Sequence, residues 1–275
     1  MAGIKRTWDG GLVLAPAMAE STTSNVQDMF TGFRNELDEH HDRRERIVKA
    51  SRDITALSKK IIFSLQRVRG LNAQLPANIA KETNDRFLQI RELFNSISTD
   101  TSGVNAWRYQ YQISPGIQEY IEALSFQRYI EKKEIISRKE ISDSLPPSML
   151  VTDSDYVLGL YDLTGEMMRF AITSMSSGAG RLATATKDGE STGSSAEELP
   201  LPGDALVSDL RQLRVMFEQF NAPAQGPWKE VNRKIETMRA SVEKVERAVY
   251  GLLVRGKERP PGWVPDLSSA PAVEC

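Results

Sequence analysis

Apolar residues recur every three or four positions through most of this chain, the period of a helix that buries one face. Met29, Phe30, Phe33 and Leu37 begin such a stripe, and Ser24 with Gln27 has capping-box spacing just ahead of it. Ile47, Ala50, Ile54, Leu57, Ile61 and Leu65 continue the rhythm, with no proline before Pro76. The pattern predicts one long helix from near Ser24 to about Arg69. At about 1.5 Å per residue it would span roughly 65–70 Å, more than a single subunit's core can cover. Such a length points to an oligomer or a long bundle.

A second helix is predicted after Pro76, with Ile79, Phe87, Ile90, Leu93, Phe94 and Ile97 on its apolar side. Gly103 and Pro115-Gly116 punctuate the chain, so a further helix is expected to open after Gly116 and carry Ile117, Tyr120, Ile121, Leu124 and Tyr129. Pro146-Pro147 predicts a loop over 142–148. Thr152 and Asp155 repeat the capping-box spacing and launch a helix over 156–175. From 176 to 203 small and polar residues dominate, too little apolar surface to offset the entropy of ordering, and a mobile insertion is expected. Helices resume at Asp204. The last stripe, Trp228, Val231, Ile235, Met238, Val242, Val245, Val249 and Leu252, alternates three and four without an error until Pro260-Pro261. No segment alternates like a strand. The expected fold is an all-α bundle of roughly six to seven helices with a long first helix. Residues 1–22 are expected to be a disordered segment, 23–258 a single helical domain and 259–275 a tail.

Composition narrows the class. With 275 residues, 40% of them hydrophobic, the chain can bury a sizeable core. A net charge of −2 and a pI near 5.9 exclude a protein held to nucleic acid by its overall charge, so any RNA contact must be local. The only cysteine, Cys275, excludes an internal disulfide or a cysteine-based zinc site, and as the last residue it is no prenylation box. Lys5 and Arg6 before a short apolar run imitate a signal peptide, but Asp9 and Gly10-Gly11 break it. The apolar stretch 156–175 is interrupted by Asp162, Glu166 and Arg169 and does not read as a membrane span. The chain reads as soluble and intracellular.

Candidate chemistry lies in two acidic pairs. Glu119 and Glu122 are three apart and Asp162 and Glu166 four apart, so each pair shares a helical face. The helix holding the second pair is apolar almost all round, which predicts partial burial of its carboxylates. A buried carboxylate must find a cation, share a proton or face a polar cavity. Two readings stay open. Arg169, three residues after Glu166, would make an ordinary ion pair, leaving Asp162 to a neighbouring helix. Alternatively the two pairs face each other and hold a hard cation, for which oxygen-only ligation favours Mg²⁺ or Mn²⁺. His40 and His41 are the only histidines and neither follows a glutamate by three, which removes the di-iron bundle reading and makes histidine-dependent nucleophilic sites improbable. Near the acidic helices stand the basic residues Arg128, Lys132, Lys133, Arg138 and Lys139 and the aromatics Tyr120, Phe126 and Tyr129, candidates for backbone contacts and base stacking if the RNA-cleaving role that the resemblance described next implies holds.

Several blocks resemble the translin family, in its translin-associated factor X branch. They are Phe33-Arg34-Asn35-Glu36-Leu37-Asp38, Ser51-Arg52-Asp53-Ile54-Thr55, Gln118-Glu119-Tyr120-Ile121-Glu122-Ala123 running into Ser125-Phe126-Gln127, Asp155-Tyr156-Val157-Leu158-Gly159, Asp162-Leu163-Thr164-Gly165-Glu166 and Val254-Arg255-Gly256. The resemblance implies a translin-like helical fold and a hollow hetero-octamer with translin. It also implies Mg²⁺-dependent cleavage of single-stranded RNA, in silencing-complex activation or tRNA processing, in cytoplasm and nucleus. It carries the acidic active-site positions onto Glu119, Glu122, Asp162 and Glu166, all intact here as metal-binding and catalytic candidates. The first residues lack the branch's bipartite basic nuclear signal, and the 176–203 stretch is longer than usual. A non-catalytic subunit binding single-stranded RNA or DNA, or a purely structural subunit of the oligomer, is the alternative.

Overall fold

The computed structural model describes residues 19–72, 74–185, 204–223 and 225–255, and among these it is all-helical. In order run α1 (Ala19–Leu65), α2 (Ala77–Ser96), α3 (Asn105–Arg108), α4 (Gln110–Lys132), α5 (Arg138–Ser144), α6 (Asp153–Ala185), α7 (Asp204–Gln219), a 3₁₀ turn η1 (Gly226–Glu230) and α8 (Val231–Arg255). Two compact units divide the chain, 1–46 and 47–275.

The first unit contains helical residues 19–46, where i,i+4 ion pairs such as Arg34–Asp38 and Arg43–Glu39 support the polar face. Its apolar stripe, Val26, Met29, Phe30, Phe33 and Leu37, is about half or more exposed throughout. Helix α1 runs straight through Ser24, so the proposed cap there is an interior residue, and 19–22 are helical where disorder was expected. Residues 1–18 lie outside the described ones.

In the second unit the α1 stripe is buried as its spacing predicts, with Ile47, Ile54, Ile61 and Leu65 all at zero exposure. Helix α6 is the centre of this unit and packs on α4, α7 and α8. Two glycines set how closely its neighbours approach. A Cβ on Gly159 would stand 2.8 Å from Ile121 Cγ2 and 3.0 Å from the Gln118 carbonyl oxygen, so α4 and α6 touch backbone to backbone there. Gly116 lies equally close to Ser51 of α1, whose Oγ accepts a hydrogen bond from the Gly116 amide at 3.1 Å. Buried Asp155 ties the same helices together. It accepts from Gln110 (2.6 Å), Gln118 (3.1 Å), Thr152 (2.6 Å) and Ser114, and Thr152 Oγ1 in turn caps the Asp155 amide at 3.1 Å.

Three boundaries differ from the sequence reading. Helix α4 starts at Gln110 and contains Pro115, which has no N–H to offer the carbonyl of the well-exposed Tyr111. Helix α5, opened by the reciprocal cap of Ser137 and Glu140, runs to Ser144 and so takes in 142–144, the first residues of the expected loop. Helix α6 continues through Ala185 into the stretch expected to be mobile; 186–203 and the tail from 256 lie outside the described residues. The last helix follows its stripe, with Val231, Met238, Val242 and Val245 buried. No helix among the described residues is long and apolar enough to cross a membrane.

Candidate functional site

Helices α1, α4, α6 and α8 wall an open cleft of about 820 Å³ in the second unit. From α1 come Lys59, Ile62 and Phe63, and from the turn just after it Gln66; from α4, Glu119 and Glu122; from α6, Glu166, Met168, Arg169, Ile172 and Thr173; from α8, Lys244. Three of the four acidic candidates therefore share one cavity. The close seam at Gly159 brings their helices together, one turn from Asp162 on α6 and beside Gln118 and Ile121 on α4.

The four carboxylates have different surroundings. Glu122 is 7% exposed and forms no hydrogen bond or ion pair with any described residue. Burial first, then the charges of Glu119, Asp162 and Glu166, push its pKa up to about 9 against the opposing pull of Lys234. Glu119 is raised too, by burial above all, although Lys59 stands 3.8 Å away and acts in the other direction. Glu166 is held twice by Gln66, just past the end of α1, whose Nε2 donates to the Glu166 carboxylate at 2.8 Å and to its backbone carbonyl at 2.9 Å. It also meets Arg169 at 3.2 Å. Asp162 turns to Lys234 on α8, which donates to its carboxylate and to the Leu158 carbonyl at 3.4 Å. Its side chain is 42% exposed, the partial burial that the apolar sequence around it predicts.

Both ion pairs of the ordinary reading are thus formed, Glu166 with Arg169 and Asp162 with a neighbouring helix. Glu119 and Glu122 nevertheless remain coupled to them across the helix seam. The donor set is all oxygen, which suits a hard divalent cation, and the partnerless Glu122 carboxyl is the position most in need of one. As the side chains stand, no three His, Cys, Asp or Glu residues among the described ones converge as metal ligands. Lys234 and Arg169 occupy the place of positive charge instead.

The proposed RNA contacts fare differently. Tyr120, Phe126 and Tyr129 are core residues. Tyr120 packs edge-on against Phe87 and Phe94, Phe126 against Phe170, and the Tyr129 hydroxyl donates to Asp209 at 2.7 Å. Their buried rings have no face for a base. None of Arg128, Lys132, Lys133, Arg138 and Lys139 lines the cleft; Arg128 pairs with Glu140, Lys133 with Asp209 and Arg138 with Asp153. Sequence reasoning missed Lys59, Phe63, Gln66, Lys234 and Lys244. The first three sit four and three apart, off the Ile47, Ile54, Ile61 stripe, a signal that was present; Lys234, 72 residues from Asp162, offered none.

The fold and cleft define an all-helical protein with an acidic cavity built at one tight helix seam. Residues 42–256 match the Translin family, and the chain belongs to it. It is similar to Translin-associated protein X of Rattus norvegicus and of Pongo abelii, at 32% and 33% identity over 90% of this chain and 86% of each relative. A Translin-associated protein X homolog of Schizosaccharomyces pombe is 27% identical, over 85% of this chain and 91% of the relative. Among solved structures, apo-NeC3PO matches with a TM-score of 0.56 and AfC3PO with 0.52, at 18% and 19% identity, covering 79% and 80% of this chain and 94% of each. At that identity the likeness is one of fold.

Proposed function

We propose that this chain is the catalytic subunit of a divalent-cation-dependent endoribonuclease that cleaves single-stranded RNA within a hetero-oligomer containing a translin-like subunit. One observation carries the reading: a buried Glu122 carboxyl, unpaired among the described residues, that shares an open cleft with Glu119 and Glu166 and feels the charge of Asp162 as well. Family membership and the similarity to Translin-associated protein X support it. These four carboxylates would hold Mg²⁺ or Mn²⁺. Bound there, such a cation supplies charge neutralisation at the phosphate and acidifies water. Gln66 keeps Glu166 aimed into the cleft, Lys234 keeps Asp162 beside it, and Lys59 and Arg169 attract the phosphate chain. Arg128, Lys132, Lys133, Arg138 and Lys139 would touch the RNA backbone outside the cleft. The exposed stripe of the first unit supports the oligomer, since a row of large apolar side chains in water favours a covering partner. Work in the cytoplasm and nucleus, in silencing-complex activation or tRNA processing, belongs to the same proposal.

The test is cleavage of a single-stranded oligoribonucleotide in Mg²⁺ by the chain co-expressed with a translin-like subunit. Glu122→Gln and Asp162→Asn are expected to slow cutting by about 100-fold or more, the scale of a positioned acid–base group. Cutting that EDTA abolishes but neither substitution slows would place the chemistry elsewhere. The Asp162–Lys234 and Glu166–Arg169 pairs favour a second reading, a non-catalytic subunit that binds single-stranded RNA or DNA. Binding without cutting in either Mg²⁺ or Mn²⁺ would select it.

A further inference from the structure

Among the described residues, Phe63 is the one aromatic lining the acidic cleft, and it is 73% exposed. At that exposure most of the ring is left uncovered by the described residues. Its surroundings separate it from an ordinary interface patch. Lys59, one turn earlier on α1, and Gln66, in the turn just past its end, flank it along the chain, while Arg169 and Lys244 come from α6 and α8. Interface cores are depleted in lysine, whereas an isolated aromatic among cations is what a nucleic-acid strand requires: a face for the base and positive charge for the backbone on either side. The side chains of Lys59 and Arg169 are themselves well exposed, 66% and 68%, and so available to phosphates. Below this rim lie Glu119, Glu122 and Glu166.

We propose that Phe63 is the stacking platform of the cleft, on which an unpaired base lies next to the phosphate presented to the carboxylates, with Lys59 and Arg169 bracketing the strand. The role rests on the nucleic-acid reading above and sharpens it to substrate form. Bases inside a duplex already stack on one another and present no face to a protein ring, so the platform accepts single strands, loops and ends and turns away continuous helix. Every base has a π-face, so Phe63 selects strandedness and not sequence.

The experiment uses the full chain assembled with its translin-like partner. Binding of a fluorescein-labelled single-stranded oligoribonucleotide is measured in EDTA, and cleavage of the same strand in Mg²⁺. Phe63→Ala is expected to weaken binding by about 5- to 100-fold, the range for loss of one base–aromatic contact, and to raise KM more than it lowers kcat. Phe63→Trp should restore both. Tyr111→Ala, at an exposed aromatic outside the cleft, should change neither. An abasic nucleotide at the cleavage position should weaken binding to the wild type but add nothing to the Phe63→Ala loss. Unchanged binding and KM in Phe63→Ala, or its failure to assemble by mass photometry, would overturn the proposal, the latter assigning Phe63 to a subunit interface. Phe63-dependent binding without any cleavage would keep the platform while removing the nuclease reading. Cleavage indifferent to Phe63 would do the reverse, and a wild type that neither binds nor cuts would remove both.

Discussion

Replacing Glu122 by glutamine probes the electrostatics of the cleft most directly. The substitution preserves the side chain's shape and removes its charge. Burial, and after it Glu119, Asp162 and Glu166, raises the folded-state pKa from the ordinary 4.5 to about 9. A carboxyl whose pKa is raised on folding lends full stability below the unfolded value and loses it progressively as pH climbs towards the folded one. At pH 7 the group stands two and a half units above 4.5, and at about 1.4 kcal/mol per unit the loss amounts to about 3 kcal/mol. Glutamine does not titrate and escapes that loss. Glu122→Gln in EDTA is therefore expected to be more stable than wild type by up to about 3 kcal/mol at pH 7, and the two should converge near pH 4.5. Urea unfolding followed by far-ultraviolet circular dichroism at pH 5, 6, 7 and 8 reads the difference. Equal stability at pH 7, or a gap that fails to shrink towards pH 5, would refute the picture of an uncompensated buried carboxyl. Under the proposed function the order reverses with Mg²⁺, because a cation that binds only the folded wild type stabilises it by mass action.

Other parts of the structure give separate tests. Gly159→Ala forces a methyl against Ile121 and the Gln118 carbonyl; overpacking of about 1–3 kcal/mol outweighs a helix-propensity gain of up to about 1. A lower melting temperature is expected together with slower cleavage, and a neutral effect would mean that the seam does not depend on this glycine. Lys234→Met removes the cation beside Asp162; because Asp162 is well solvated the stability cost should stay at about 1 kcal/mol or less. Mn²⁺ affinity, read by electron paramagnetic resonance, should rise as a competing charge leaves, and a fall would show that Lys234 orients the carboxylate instead. Ser137→Ala breaks the capping box of α5 and is expected to cost about 1 kcal/mol in chemical denaturation; no change would mean that Glu140 and Arg128 suffice to hold that turn.

Helix identity and the buried faces were legible because both depend on local spacing. The isoleucines of α1 and Val231, Val242 and Val245 of α8 are buried where their period puts them, and Thr152 caps α6 as its spacing suggests. Boundaries were less legible, because Pro115 lies inside α4 where the sequence reading opened a helix after it, and how far a helix runs through a proline is a property of the packed chain. The exposed Val26 to Leu37 stripe shows the same limit in reverse: period reveals that a face is apolar, not what covers it.

The sequence by itself determined an all-helical chain, the family to which it belongs and the two acidic pairs, since each is written in residues at most a few turns apart. Only tertiary structure decided that Glu119, Glu122 and Glu166 open into one cleft while Asp162 leans on Lys234, and that Tyr120, Phe126 and Tyr129 are core while Phe63 meets solvent. The reason is physical. A helix's period sets which side chains share a face, but the partner of a buried charge and the exposure of a ring follow from which helices touch. Gly116 and Gly159 allow two of those contacts, α1 with α4 and α4 with α6, to be close ones.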